Sequence, residues 1–135
     1  MLLSEAIRLG AMLGSQAFGI RHGGDGSSCV LGAVEDACGG IKAEKAFPWI
    51  FGFATNPVTG DEQPVNVIMA GLNNNGSDFH LSNNPRRSWS RERIADWVES
   101  IERERGLIPA AKACETEYED TAVLTRSGLV LDAPG

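Results

Sequence analysis

The chain has 135 residues, of which 42% are hydrophobic and 22% are charged. This balance excludes a disordered or low-complexity protein, and a chain of this length can bury a core of ordinary size. The formal net charge of −6 repels polyanions at long range. We therefore expect no nucleic acid among its partners.

The apolar runs and the start of the chain indicate the cellular location of the protein. No apolar run approaches the ~20 residues of a membrane-spanning helix, and the first residues lack the basic and apolar segments of a signal peptide. We expect a cytoplasmic protein that does not enter a membrane. Residues 1–135 are predicted to form a single domain. We expect any flexible segment to lie in the tail from about residue 116.

The cysteines and histidines show no pattern typical of a metal site. Cys29, Cys38 and Cys114 are odd in number and form no Cys-x-x-Cys pair, which argues against a disulfide framework and against structural zinc. His22 and His80 are the only histidines, and they complete no ligand spacing with the cysteines. The sequence predicts reduced thiols, no metal and no other cofactor.

In chain order, the first helical pattern covers residues 3–15 and the second covers 29–38. In the second pattern, apolar residues recur at i, i+3, i+4 and i+7. Ser28 precedes it as a typical N-cap residue, and the glycines at 39–40 provide a left-handed end. The clearest pattern covers 90–105, where the same spacing places isoleucine, tryptophan and valine on one face.

The segments between the second and the last helix are less regular. Residues 47–53 are rich in aromatic side chains, and because Pro48 prevents a continuous helix, we expect a turn of helix or an irregular hydrophobic plug. Residues 65–72 form an apolar run that fits a strand paired in a hairpin with 79–81. A buried helix over 64–72 fits the run nearly as well, so both interpretations stay open.

Two elements are expected after the last helical pattern. Pro109 is suited to begin a short helix that extends through Cys114, and the end of the chain forms a small hairpin or frays. Together the elements predict an α+β fold that is predominantly helical. We expect a small single domain with a few helices and at most a small β-hairpin or sheet.

Two segments carry a resemblance to a known family. Residues Cys29–Ala33 read Cys-Val-Leu-Gly-Ala, and Trp89–Val98 read Trp-Ser-Arg-Glu-Arg-Ile-Ala-Asp-Trp-Val. They resemble the Cys-x-Leu-Gly-Ala and Trp-x-Arg-Glu-x-Ile-Ala-x-Trp-Val motifs of an uncharacterised family of short bacterial and phage proteins. The resemblance covers about residues 3–40 and 80–102. It implies a fold and a bacterial or phage origin, but no activity. The Cys-Pro-x-Cys pair of many members is absent, since 56–59 read Asn-Pro-Val-Thr.

One cluster of positive charge lies near the start of the last helical pattern. Four arginines surround Trp89 with a single glutamate among them: Arg86, Arg87, Arg91 and Arg93. We call these four arginines and Trp89 the arginine surface. Arginines beside an aromatic ring at a helix start are suited to hold a phosphate group or an acidic partner, whereas a solvated helix start is the simpler alternative.

The leading prediction is a non-catalytic interaction or regulatory protein that contacts a protein partner or a compact anion through the arginine surface. Its oligomeric state stays open. The support for this prediction is largely the lack of a recognisable catalytic, metal or nucleotide motif in the sequence.

The alternative prediction is a small enzyme or an anion-binding module. A glycine-rich loop over 23–28 precedes the second helix, where backbone N–H groups attract anions. Cys29 at the helix start and His22 form a conceivable nucleophile pair, with Ser27 and Ser28 beside them. An ordinary loop and a buried, inert cysteine are the simpler interpretations of the same residues.

Overall fold

A computed structural model describes residues 1–108 of the chain. This part contains five α-helices, one 3₁₀ helix and two short strands. In chain order they are α1 (Leu3–Ala11), α2 (Val30–Ala37), α3 (Ala43–Ala46), the 3₁₀ helix (Pro48–Phe51), β1 (Phe53–Thr55), β2 (Glu62–Pro64), α4 (Val65–Asn75) and α5 (Arg91–Glu104). The prediction of an α+β fold that is predominantly helical is confirmed.

The described part of the chain divides at residue 100, and the first unit covers residues 1–99. No helix within residues 1–108 is both long and apolar enough to span a membrane. The predicted short helix from Pro109 to Cys114 and the tail from about residue 116 lie outside the described residues.

The apolar run that begins at Val65 is the helix α4, so the expected hairpin with 79–81 is wrong and the helical alternative is correct. A strand would have placed Ile68 on the same face as Asn66. The helix instead turns the fully buried Ile68 toward the core and leaves Asn66 only partly buried at its side. Gly76, with a φ of 79°, adopts the left-handed conformation that ends the helix.

The single hairpin of the described residues lies upstream of α4. Strands β1 and β2 pair antiparallel, with Phe53 opposite Pro64. Asn56 closes the turn between them, because its Oδ1 accepts a hydrogen bond from the backbone N–H of Val58 at 2.9 Å. The 3₁₀ helix that begins at Pro48 precedes the hairpin, which matches the expected turn of helix in the aromatic segment.

The core of the first unit lies between α1, α2, α4 and the beginning of α5. Helix α1 approaches α2 closely at Gly10, where a Cβ atom would lie 1.8 Å from the carbonyl oxygen of Ala33. Only glycine permits this approach. The largest fully buried side chains include Leu3, Ile7, Ile50, Ile68, Met69, Leu72 and Ile94.

The buried side chain of Asn73 joins α4 to the start of α2 and to the residues that precede α2. The Oδ1 atom of Asn73 accepts hydrogen bonds from the backbone N–H of Val30 (3.0 Å) and from Nε2 of Gln16 (2.9 Å). Its Nδ2 donates to the carbonyl oxygen of Ala17 and to Oδ1 of Asn74, both at 2.9 Å. The amide thus uses two acceptor positions and two donors, which is its full capacity. Asn73 fixes α4 to the start of α2 and to residues 12–29, which we call the connecting loop.

Arg91 holds the connecting loop from the other side. It is only 5% exposed, and its Nη1 donates to the carbonyl oxygen (3.2 Å) and the hydroxyl (3.0 Å) of Ser28. Its Nη2 donates to the carbonyl oxygens of Ala11 (3.3 Å) and Gly14 (2.6 Å). Burial lowers the pKa of Arg91 from its ordinary value. Both ends of the connecting loop therefore meet one guanidinium group.

These contacts predict a structural role for Arg91 that its exposed neighbour Arg87 does not share. Replacing Arg91 by methionine should lower the free energy of unfolding by about 3 kcal/mol, because buried carbonyl oxygens then lose their donor. The matched change Arg87→Met should cost less than about 0.5 kcal/mol. Urea denaturation followed by tryptophan fluorescence measures both. Equal stability of the two variants would contradict the assignment.

Candidate functional site

An open cleft lies on the first unit between the connecting loop, the start of α2, one side of α4 and Phe79. Its volume is about 320 Å³. The residues that line it are Gly19, Ile20, Arg21, Cys29, Leu31, Glu44, Asn66, Val67, Ala70, Asn74 and Phe79. Its walls are mainly apolar, and polar side chains gather at Arg21 and Glu44. This combination is typical of small-molecule sites.

Helix α4 supplies one wall through the helical repeat. Asn66, Val67, Ala70 and Asn74 line the cleft. These positions are separated by one, three and four residues, which places them along one side of a helix. The same helix directs the fully buried Ile68 into the core. The cleft wall is therefore backed by packed side chains.

The connecting loop supplies the opposite wall and is fixed by backbone contacts. Gly19 has a φ of 78°, and its N–H donates to Oδ1 of Asn74 at 2.9 Å. The carbonyl oxygen of Arg21 accepts the N–H of Cys29 at 3.0 Å. A Cβ atom at Gly32 would lie 2.0 Å from that same carbonyl oxygen. The backbone of Arg21 thus lies directly against the first turn of α2, which requires glycine there.

An ion cluster closes the polar end of the cleft. The guanidinium of Arg21 donates from Nη1 to Oε1 of Glu44 at 3.0 Å and from Nη2 to Oε2 at 2.5 Å, and it also donates to the buried Glu35. The hydrogen bonds from Arg21 lower the pKa of Glu44 from its ordinary value of 4.5 to about 2. The bonds to Glu44 raise the pKa of Arg21. Arg21 and Glu44 therefore both stay charged at neutral pH.

Asn66 lies next to this cluster with one half of its amide in use. Its Nδ2 donates to Oε2 of Glu44 at 3.3 Å. Its Oδ1 is buried and accepts no hydrogen bond from the described residues. Reversing the amide would place its oxygen against a carboxylate, so the assigned orientation is the favourable one. A buried acceptor without a donor costs free energy, and this one belongs to a residue that lines the cleft.

The predicted alternative site is only partly assembled. Cys29 lies in the cleft wall but is 6% exposed, and burial raises the pKa of its thiol. Its Sγ accepts the N–H of Gly32 at 3.5 Å, so Cys29 caps α2 where Ser28 had been expected to do so. His22 does not line the cleft, and its Nε2 lies 2.9 Å from Oδ1 of Asp36.

The serines and the glycine-rich loop are held by internal hydrogen bonds. Ser27 donates from its hydroxyl to Oδ1 of Asp25 at 2.6 Å. Ser28 is buried, and its backbone forms isolated β-bridges with Gln16 and His22. Cys29, rather than Ser28, is the N-cap residue of α2. The first N–H of α2, at Val30, already donates to Asn73. An anion site in this loop stays a prediction, and its helix-start amides at Val30 and Gly32 already have protein acceptors.

The arginine surface is divided by the fold. Arg86, Arg87 and Arg93 are exposed, whereas Arg91 is directed inward. The guanidinium carbon of Arg93 lies 3.8 Å from the centre of the Trp89 ring, a cation–π contact. Three arginines therefore remain exposed, while Trp89 is partly buried and packs against the core. A role for them in binding stays a prediction.

The sequence did not single out the residues at the polar end of the cleft. Asn66 carried the one usable signal, because it is the only polar residue in an apolar run. Arg21 and Glu44 gave none, since their contact joins positions 23 residues apart in the chain. Within residues 1–108, no three histidine, cysteine, aspartate or glutamate side chains are grouped so that they could hold a metal ion.

The lowered pKa of Glu44 predicts a loss of stability in acid. Because the folded state binds this proton more weakly than the unfolded chain, the stabilisation is complete above about pH 4.5 and disappears as pH falls toward 2. We expect a contribution of about 2 kcal/mol, after allowing for solvent screening at the partly exposed Arg21. Urea denaturation of wild type and Glu44→Gln at stepped pH measures it. The two stability curves should converge in acid, and a constant gap would refute the ion pair's contribution.

Comparison of this chain with protein-family models, with curated proteins and with solved structures finds no match.

Proposed function

We propose that this chain is a non-catalytic binding domain of an interaction or regulatory protein and that it takes a small apolar ligand into the cleft. The observation that carries the proposal is the cleft of about 320 Å³, with mainly apolar walls and a polar cluster at one end. Small-molecule sites of roughly 300–1,000 Å³ combine the same features. The asparagine and arginine contacts that fix both walls support a preformed site.

The exposed rim of the cleft supports the same proposal. Ile20 is 57% exposed and Phe79 is 48% exposed, and both line the cleft. Large apolar side chains exposed to solvent are costly, and their burial by a ligand is favourable by roughly 25 cal/mol per Å² of apolar surface. A ligand in the cleft would cover both side chains.

The chemistry of the cleft favours binding over catalysis. The thiol of Cys29 is protonated at neutral pH because burial raises its pKa. The imidazole of His22 makes its contact with Asp36, so the two residues of the conceivable nucleophile pair have separate partners. The free thiols of Cys29 and Cys38 support a cytoplasmic setting, and the bacterial or phage origin rests on the sequence resemblance.

Indole is a suitable probe for the proposal, because it is small, apolar and carries one N–H donor. In a two-dimensional amide NMR titration, indole should shift the resonances of the cleft, among them Arg21, Ala70 and Asn74. Ile20→Ser should weaken indole binding by about fivefold through lost apolar contact. The matched control Ile41→Ser changes a side chain that is 49% exposed and lies outside the cleft. Shifts scattered over the surface, or equal effects of both variants, would exclude a site in the cleft.

The arginine surface supports a second candidate, a contact with a compact anion or an acidic partner protein. The stacking of Arg93 on Trp89, beside exposed Arg86 and Arg87, favours it. Titration with inorganic phosphate, followed at the indole N–H resonance of Trp89, tests it. A saturating shift in the wild-type protein that is lost in Arg87→Met supports the contact. An unchanged resonance in the wild-type protein would contradict it.

A further inference from the structure

We propose that the cleft selects an organic cation, namely a protonated amine on a small apolar body. The inference rests on the proposed function and names the class of ligand. Two features carry it: the net negative charge of the ion cluster and the unpaired buried acceptor of Asn66.

The ion cluster holds one positive and two negative groups. Arg21 is shared between Glu35 and Glu44, so the three side chains together carry a formal charge of −1. Arg21 is the only basic residue among the described residues that line the cleft. Its Nη1 and Nη2 already donate to carboxylates. An anionic ligand would have to compete with those carboxylates for the guanidinium, whereas a cation would compensate the remaining negative charge.

The unpaired acceptor, Oδ1 of Asn66, requires a hydrogen-bond donor and does not by itself require a charged group. Oδ1 of Asn66 is buried without a hydrogen-bond partner among the described residues, while Nδ2 of the same amide is engaged by Glu44. An ammonium group offers three N–H donors. It therefore has enough donors for both Oδ1 of Asn66 and the carboxylate of Glu44. A hydroxyl group offers one donor and a carboxylate offers none.

The remaining walls define the body of the ligand. Leu31, Val67, Ala70 and Phe79 present apolar surface to the cleft. A phenyl ring or a short branched alkyl chain fits apolar walls and a volume of about 320 Å³ better than a polar or extended molecule does. Because the cleft is open to solvent on one side, the body of the ligand is restricted less strictly than its head group.

The test compares three probes of nearly equal size on the full chain: phenethylamine, phenethyl alcohol and phenylacetate. Affinities are measured by amide NMR titration at neutral pH, so that the amine is protonated and the acid ionised. We expect phenethylamine to bind about tenfold more tightly than phenethyl alcohol, and phenylacetate to bind most weakly. Added salt should weaken the binding of the amine and leave that of the alcohol nearly unchanged.

Variants locate the preference within the cleft. Asn66→Leu keeps the volume and removes the acceptor, and Glu44→Gln removes the charge. Each should reduce the preference for the amine over the alcohol by at least about threefold. The amide spectrum of each variant shows whether that variant is folded. The comparison of the three probes on the wild-type protein does not depend on either variant.

The outcomes separate this inference from the proposed function. If the alcohol or phenylacetate binds in the cleft as tightly as the amine, the selectivity for cations is wrong while the binding site stands. If none of the three probes nor indole shifts the cleft resonances, the site and its selectivity are both wrong.

Discussion

The buried amide of Asn73 is the interaction on which the rest of the first unit depends. It is fully buried, and all four of its hydrogen bonds are made. Two of them reach the backbone of Val30 and Ala17, which lie 43 and 56 residues away in the chain. A buried polar group of this kind is favourable only when every bond is made together. Asn73 therefore selects one arrangement of α4, α2 and the connecting loop.

The cleft follows from that arrangement. With one side of the loop bonded to α4 and its ends bonded to Arg91, the carbonyl oxygen of Arg21 lies against the first turn of α2. The guanidinium of Arg21 then meets Glu44 and sets the charge of the polar end. A cleft held in this way needs little rearrangement to accept a ligand, which reduces the entropic cost of binding.

The periodic parts of the fold could be predicted from the sequence, and the parts built by distant contacts could not. The pattern over 29–38 gave α2, and the pattern over 90–105 gave α5, each within one or two residues of its observed ends. The run from Val65 stayed ambiguous because a continuous apolar segment carries no period. Arg91 was expected in a surface cluster, but its acceptors at Ser28 and Gly14 lie 63 and 77 residues away, where no local pattern shows them.

Native-state hydrogen exchange tests most directly whether the connecting loop and the helices form one cooperative structure. The amides of Ala17, Cys29 and Val30 donate within the loop and to Asn73, while the amide of Met69 lies in the core part of α4. We expect all four amides to exchange only through global unfolding, with one common free energy of opening. Exchange of the loop amides through local openings several kcal/mol cheaper than that of Met69 would contradict it.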